Sequence, residues 1–207
     1  MFTPLDKILY PDNVYEVFEY AKDCFVYNIY KNGSSTIRGS GFRQLNQHEV
    51  KNLSTVDVFI RDPLDRYASG VQTFLEKLPA SYNRNTAISL LDEYVFLNRH
   101  HQLQLHWIIN LCQVVNKDTT FNIRHLDELQ TVSKHYYNTS NRDREIVKHC
   151  LSNDNAQYYL LADRVLYTTL MNKSVTIKQI LESVQSEYPD LYNDMFGLTK
   201  RLTNVLS

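Results

Sequence analysis

Two short segments of this 207-residue chain carry residue types that bind phosphate. The first has Lys31, then Gly33 for a tight turn, and then three hydroxyl side chains in a row. The second has Arg61 after an apolar run and Ser69 eight residues later. A cation combined with hydroxyl groups and free backbone N–H groups at a helix start is a typical binding site for an anion. Both segments therefore predict sites for phosphate or a related group.

Each segment is predicted to run from a buried strand through a polar turn into a helix, which is where α/β folds collect anionic ligands. The first strand is expected at Cys24–Tyr30, followed by a helix that the glycines after it shorten. The second strand is expected at Asp57–Arg61, because its apolar run is nearly continuous. Pro63 suits the first turn of the next helix, predicted at about Leu64–Lys77.

The remaining pattern is mainly helical, with one more strand. A short amphipathic segment, about Asp12–Ala21, precedes the first strand, and Thr120–Arg124 is predicted as a third strand. Apolar spacing predicts helices at Thr86–Leu97, His101–Val115, Arg142–Met171, Thr176–Glu187 and Leu191–Leu206. The alternation predicts an α/β domain with a small parallel sheet flanked by helices, over residues 1–172, and a helical C-terminal extension, residues 173–207, packed on the same domain.

Composition is that of an ordinary soluble globular protein, with 43% hydrophobic and 22% charged residues. The net charge of −1 argues against binding nucleic acid. Three widely spaced cysteines are expected to be reduced thiols. No signal peptide and no apolar run long enough to span a membrane is recognised, so a cytoplasmic location is expected. The oligomeric state stays open.

Taken together, the two segments resemble the sulfotransferase family, whose enzymes move a sulfuryl group from 3′-phosphoadenosine 5′-phosphosulfate (PAPS) to a hydroxyl or amine. In that family a lysine-containing loop holds the 5′-phosphosulfate. An Arg-Asp/Asn-Pro strand end and a serine eight residues on hold the 3′-phosphate. Here Arg61-Asp62-Pro63 with Ser69 reproduce that spacing, and the loop from Lys31 to Thr36 reproduces the first element. The resemblance spans about residues 22–170 and depends almost entirely on these two motifs.

The resemblance implies a P-loop-type three-layer domain and a role for each motif residue. Lys31 would stabilise the leaving phosphate and the moving sulfuryl group. Arg61 would clamp the 3′-phosphate, with a second hydrogen bond from Ser69. The loop is not a Walker A motif, because Lys31 precedes the glycine. The expected cradle for the 5′ end consists of the backbone N–H groups of Asn32, Gly33, Ser34, Ser35 and Thr36 with the three hydroxyls.

A general base must take the proton of the acceptor hydroxyl, and two histidines are candidates. His100 and Gln104 resemble the His-x-x-x-Gln element of carbohydrate sulfotransferases and are expected one helical turn apart, although Leu103 replaces the usual proline. His48 is the rival, because some family members place the base between the lysine loop and the arginine. The other histidines His101, His106 and His125 are expected to be structural or exposed. No metal site is expected.

These observations predict a PAPS-dependent sulfotransferase that acts on a small-molecule hydroxyl acceptor, with a carbohydrate favoured by the His100 element. One alternative is a binding protein that keeps the nucleotide cleft without catalysis. A second is another P-loop-type enzyme, such as a small-molecule kinase. A third is a helical interaction protein whose function lies in Thr176–Ser207.

Overall fold

The computed structural model of the chain describes residues 15–77, 83–93, 100–129 and 144–196. Four predicted elements extend beyond these ranges. The parts that lie outside the described residues are the start of the amphipathic segment at Asp12, the end of the predicted helix at Leu97, the start of the helix predicted from Arg142, and the end of the last predicted helix at Leu206.

Six strands of the described chain form one mixed sheet with helices on its faces. The strands are β1 (Val17–Ala21), β2 (Cys24–Tyr27), β3 (Arg43–Gln44), β4 (Thr55–Ile60), β5 (Thr120–His125) and β6 (Ser174–Thr176). Their order across the sheet is β3-β1-β2-β4-β5-β6. The α/β class predicted from the sequence is therefore confirmed.

Only the centre of the sheet is parallel. Strands β2, β4 and β5 run in one direction, and the register of β4 on β5 extends from Thr55 opposite Thr120 to Ile60 opposite His125. Strands β1, β3 and β6 pair antiparallel with their neighbours, so the expectation of a parallel sheet is wrong at both edges. These three strands are short or partly exposed, and they lack the continuous apolar run that marks a buried parallel strand.

Most of the helices agree with the predicted ones in position but differ in their ends, and the short helix Gln47–Lys51 was not predicted. The helices are α1 (Ser34–Gly39), α2 (Gln47–Lys51), α3 (Pro63–Lys77), α4 (Arg84–Glu93), α5 (Gln104–Cys112), α6 (Arg144–Leu151), α7 (Asp154–Thr168), α8 (Ile177–Glu187) and α9 (Pro189–Phe196). A 3₁₀ turn, Leu126–Glu128, follows β5 directly. In the described ranges, no helix has the length and apolar character that crossing a bilayer requires.

Local capping explains two of the boundaries that the apolar pattern did not predict. The side chain of Asn153 accepts a hydrogen bond from the Ala156 N–H at 3.0 Å and starts α7, so the single helix expected over Arg142–Met171 is two helices. Thr176 and Gln179 form a capping box that starts α8. Residues 174–176 before it form β6 instead of helix, and α8 packs into the same core as the rest of the chain.

The two faces of the sheet are covered by different elements. Val58 and Ile60 of β4 pack against α3 and the other long helices, whereas Phe59 between them faces the opposite side and packs near Ile37 of α1. The chain therefore leaves β2 toward one face and leaves the neighbouring β4 toward the other. A crevice forms at the carboxyl ends of two parallel strands whose connections diverge in this way, and open α/β sheets bind ligands there.

The turn between β2 and α1 requires glycine at position 33. Gly33 has a φ of 74°, and a Cβ atom there would lie 2.4 Å from Cδ2 of Leu129, a fully buried side chain. Gly41 has nearly the same φ, 71°, but nothing within 4 Å of its Cβ position. A side chain at either position would therefore strain the backbone to a similar extent. Only a side chain at Gly33 would also clash with a neighbouring residue.

We predict that Gly33→Ala lowers the free energy of unfolding by about 2–4 kcal/mol, because the left-handed backbone cost of about 1 kcal/mol adds to the clash with the core. Gly41→Ala, the matched control, should lower it by about 1 kcal/mol. Urea denaturation of both variants measures the difference. Equal losses would contradict the close approach of Leu129 to the turn.

Candidate functional site

The loop from β2 to α1 holds Lys31 in an unusual backbone conformation. Lys31 has a φ of 71°, in the left-handed region that non-glycine residues rarely adopt. The first helical hydrogen bond of α1 runs from the Ile37 N–H to the Gly33 carbonyl, at 3.0 Å. The N–H groups from Gly33 to Thr36 therefore have no acceptor within the helix, and they follow directly on the lysine.

The loop differs from the expected cradle at its two ends. The Asn32 N–H donates to the Ile29 carbonyl at 3.1 Å, so this donor is already used within the turn. At the other end the side chain of Thr36 is buried. Ser34 is half-buried and Ser35 is exposed, and no described residue hydrogen-bonds to either hydroxyl. The part of the loop that can receive an anion is therefore centred on Gly33, Ser34 and Ser35.

The Lys31 ammonium lies against α3. Its Nζ donates a hydrogen bond to Oγ1 of Thr73, and that hydroxyl donates to the carbonyl of Ser69 at 3.0 Å. Burial lowers the pKa of Lys31, and the positive charges of Lys77 and the nearby arginines lower it further, whereas the negative charge of Glu76 acts in the opposite direction. Lys31 thus lies among other cations, in a position where an anionic ligand would be attracted.

Arg61 follows the last residue of β4, as the sequence predicted, and its guanidinium has no partner among the described residues. The neighbouring carboxylate does not pair with it. Oδ1 of Asp62 instead accepts the N–H groups of Leu64 and Asp65, at 2.9 and 3.0 Å, and caps α3. Ser69 lies on the same helix, and its hydroxyl also has no partner in the described chain. Arg61 and Ser69 are therefore both available to a ligand.

A buried glutamine joins the two predicted anion sites. Oε1 of Gln104 accepts from Nδ2 of Asn32 at 2.6 Å and from the Arg61 N–H at 2.9 Å. Its Nε2 donates to the Arg61 carbonyl at 3.0 Å. Asn32 also donates to the Phe59 carbonyl at 2.7 Å. One side chain thus holds the residue after Lys31 beside the backbone of Arg61.

Two further buried residues support this region, and the sequence analysis assigned neither of them to the site. Arg66 of α3 donates from Nε to the Tyr30 carbonyl at 3.1 Å and from Nη1 to the Gln102 carbonyl. Asp163 of α7 accepts the N–H groups of Gln104 and Leu105, at 2.7 and 2.9 Å, and so caps α5. Charged residues inside an otherwise apolar helix pattern were the available signal, because such residues are seldom buried without a partner.

His100 lies in the region of Lys31, but the prediction that it is one helical turn from Gln104 is wrong. The chain turns at His100–Gln102, and α5 begins only at Gln104. His100 and Gln104 therefore do not share one helix. The His100 ring packs edge-on against Tyr30 with 5.3 Å between ring centroids, and its Nε2 lies 3.4 Å from Nζ of Lys77. A Cβ on Gly70 of α3 would lie 2.5 Å from the His100 carbonyl, which shows how closely the turn packs on that helix.

The rival histidine is in a different part of the sheet. His48 is exposed on α2, which follows the edge strand β3, and β1 and β2 separate that strand from β4. No hydrogen bond of a described residue joins its side chain to Lys31 or Arg61. Arg38, another nearby cation, pairs with Glu16 at 2.6 Å and lies over the Tyr30 ring. The structure therefore groups His100, and not His48, with the lysine loop.

Three further histidines, His101, His106 and His125, are buried or half-buried. His101 and His106 are completely buried. His125, at the end of β5, is half-buried, and its Nε2 lies 3.0 Å from the hydroxyl of Tyr167. Among the described residues, no group of three histidine, cysteine, aspartate or glutamate side chains is placed to hold a metal ion.

Comparison of the chain with protein-family models, with curated proteins and with solved structures found no match in any of the three. The function of the site is therefore inferred from its residues and their geometry.

The two buried histidines predict a specific pH dependence of stability. Burial lowers the pKa of His101 and of His106 to about 3, so both are neutral in the folded protein. In the unfolded chain they take up protons below pH of about 6.5, and the free energy of unfolding must fall as pH falls from there toward 3. Between pH 7 and 5.5 each histidine should remove about 1 kcal/mol.

We therefore predict that His101→Gln removes part of the loss of stability between pH 7 and 5.5, about 1 kcal/mol, whatever its effect at pH 7. The exposed His48→Gln is the control and should leave the pH dependence as in the unmodified protein. Denaturant unfolding at the two pH values gives the comparison. An unchanged slope in His101→Gln would mean that this histidine is not buried in its neutral form.

Proposed function

We propose that the protein is a PAPS-dependent sulfotransferase with a P-loop-type core, which moves a sulfuryl group to a hydroxyl acceptor. The crevice between the ends of β2 and β4 would hold the nucleotide. The loop from Lys31 to Ser35 would take the 5′-phosphosulfate, and Arg61 with Ser69 would take the 3′-phosphate.

One observation carries the proposal. Arg61 is a half-buried residue, and its guanidinium has no partner among the described residues, although Asp62 is next to it in sequence. Lys31, whose pKa is lowered by burial and by neighbouring positive charges, lies on the adjacent strand end. Partly desolvated cations are costly, and a ligand with two phosphate groups would bring negative charge to both.

The chemistry would be an in-line transfer. The acceptor oxygen forms a bond to sulfur, and the bond between sulfur and the bridging oxygen breaks. Adenosine 3′,5′-bisphosphate leaves with the electron pair, and the acceptor proton goes to a base. Lys31 would neutralise charge on the bridging and sulfuryl oxygens, where it develops during the reaction. His100 is the candidate base, because it packs on Tyr30, the residue before Lys31.

The acceptor class is supported by sequence alone. The His100 to Gln104 element resembles carbohydrate sulfotransferases, and this favours a carbohydrate hydroxyl. In the structure Gln104 binds the chain's own backbone and the Asn32 side chain, so it has a supporting role here. The acceptor would approach from the side of His100 and Lys77.

The test of nucleotide binding is calorimetric titration with adenosine 3′,5′-bisphosphate, with AMP and ATP as comparators. We predict that Arg61→Ala weakens binding of the bisphosphate by about 2–4 kcal/mol and changes AMP binding much less, because a partly buried phosphate loses a charged bidentate partner. Arg43→Ala, which removes an exposed arginine of β3 paired with Glu19 and Glu49, is the control of equal charge and should bind like the unmodified protein.

Equal affinity of Arg61→Ala and the unmodified protein for the bisphosphate would refute the assignment of Arg61. A preference for ATP over the bisphosphate would instead favour a kinase. Binding without transfer to any acceptor would favour the non-catalytic alternative.

Transfer itself is tested with labelled PAPS and a set of carbohydrate acceptors. We predict that His100→Ala lowers turnover by about 100-fold or more, the usual contribution of a general base, and leaves affinity for the bisphosphate within about twofold. His48→Ala is the matched comparison and should keep its activity. The opposite result, with His48→Ala inactive and His100→Ala active, would assign the base to His48.

A further inference from the structure

Lys31 is fixed from both sides by buried polar groups. The residue before it, Tyr30, has its carbonyl bound by Nε of Arg66 at 3.1 Å. The residue after it, Asn32, has its side chain bound by Gln104 at 2.6 Å and by the Phe59 carbonyl at 2.7 Å. A left-handed backbone at a lysine costs about 1 kcal/mol or more, and it persists only where the surroundings hold it. These contacts are the ones that hold it.

The same groups also fix Arg61. The Gln104 amide binds both the N–H and the carbonyl of Arg61, at 2.9 and 3.0 Å. Asp163 holds the backbone of Gln104 at 2.7 Å. Arg66 additionally binds the carbonyl of Gln102, two residues before Gln104. The network of Arg66, Asp163 and Gln104 therefore joins the Lys31 loop, the end of β4 and the start of α5.

None of these three side chains can reach a ligand itself. Gln104 and Asp163 have no exposed surface, and Arg66 is 1% exposed. Nη2 of Arg66 has no hydrogen-bond partner among the described residues. The other polar atoms of the three side chains bind backbone groups around the two loops and α5, and Gln104 also binds the Asn32 side chain. A buried arginine and carboxylate are costly compared with apolar residues of the same size, so their presence here calls for a role beyond filling the core.

We propose that Arg66, Asp163 and Gln104 are positioning residues that set the separation of the two anion sites, and so select a ligand whose two anionic groups are held at one fixed spacing. This inference rests on the proposed function, since it assumes that both sites bind one nucleotide. The two phosphates of adenosine 3′,5′-bisphosphate would then bind better together than separately, because the protein holds their two sites in place before the ligand binds.

The experiment compares three ligands on each protein: AMP, adenosine 3′-monophosphate and adenosine 3′,5′-bisphosphate. The quantity of interest is the gain in affinity when the second phosphate is added to either monophosphate. In Gln104→Met, which keeps length but loses both hydrogen-bonding groups, we expect this gain to fall about tenfold or more. Each monophosphate should lose much less, because one site can adjust to one phosphate.

Arg66→Lys is a second and milder variant, since it keeps the buried charge but cannot bind both carbonyls in the same geometry. It should lower the gain in the same direction. The control is Thr119→Val. Thr119 is the residue before β5, and this change removes its buried hydrogen bond of 2.7 Å to the Leu53 carbonyl. It should lower stability without changing the gain, so a loss of stability alone cannot imitate the predicted result.

The results distinguish a failure of the proposed function from a failure of the positioning role. If the unmodified protein shows no gain from the second phosphate, the proposed function itself fails. If the unmodified protein shows the gain, and Gln104→Met and Arg66→Lys retain it in full while folded, then the positioning role is wrong and the nucleotide site stands.

Discussion

The site depends on one buried amide. Gln104 offers an acceptor and a donor in the same plane, and it uses the acceptor for Asn32 and the Arg61 N–H and the donor for the Arg61 carbonyl. Because the two loops continue from adjacent strands but lead to opposite faces of the sheet, nothing in the strand pairing fixes them to each other beyond the strand ends. A side chain with one kind of hydrogen-bonding group would leave a buried backbone group without a partner, at a cost of about 1–3 kcal/mol.

The charge distribution around this amide is unbalanced in favour of cations. The chain as a whole has a net charge of −1, yet Lys31, Arg61, Arg66 and Lys77 influence one another at the crevice. The negative charge of Glu76 acts on Lys31 in the opposite direction and offsets the repulsion in part. Asp163 caps α5 and Asp62 caps α3. The protein therefore holds positive charges together that repel one another. Such an arrangement destabilises the empty site, and a ligand that carries negative charge at two points, as proposed above, would relieve it.

The centre of the fold was predictable from the sequence, and its edges were not. The apolar runs of β2, β4 and β5 identified the three parallel strands, and turns rich in glycine, proline and hydroxyl residues identified where they end. Strands β3 and β6 have two and three residues, too few for an alternating pattern. The break between α6 and α7 depends on the cap at Asn153, which an uninterrupted apolar spacing conceals.

The candidate site, like the fold, could be predicted from the sequence only in part. Lys31, Gly33 and Arg61 were recognisable because loop residues of these types serve few structural purposes together. Gln104 was noticed only as the partner of His100 on a supposed helix, and its real partners are 72 and 43 residues away in the chain. Contacts of that kind follow from the sheet order and the path of α5, which local sequence patterns do not contain.

A crystal structure of the protein with adenosine 3′,5′-bisphosphate would test whether the two predicted anion sites bind one nucleotide. We expect the 3′-phosphate to be bound by the guanidinium of Arg61 and the hydroxyl of Ser69. We expect the 5′-phosphate on the N–H groups from Gly33 to Ser35, with Nζ of Lys31 moved from Thr73 onto the phosphate. A nucleotide bound elsewhere, or one phosphate in the crevice and the other in solvent, would contradict the proposal.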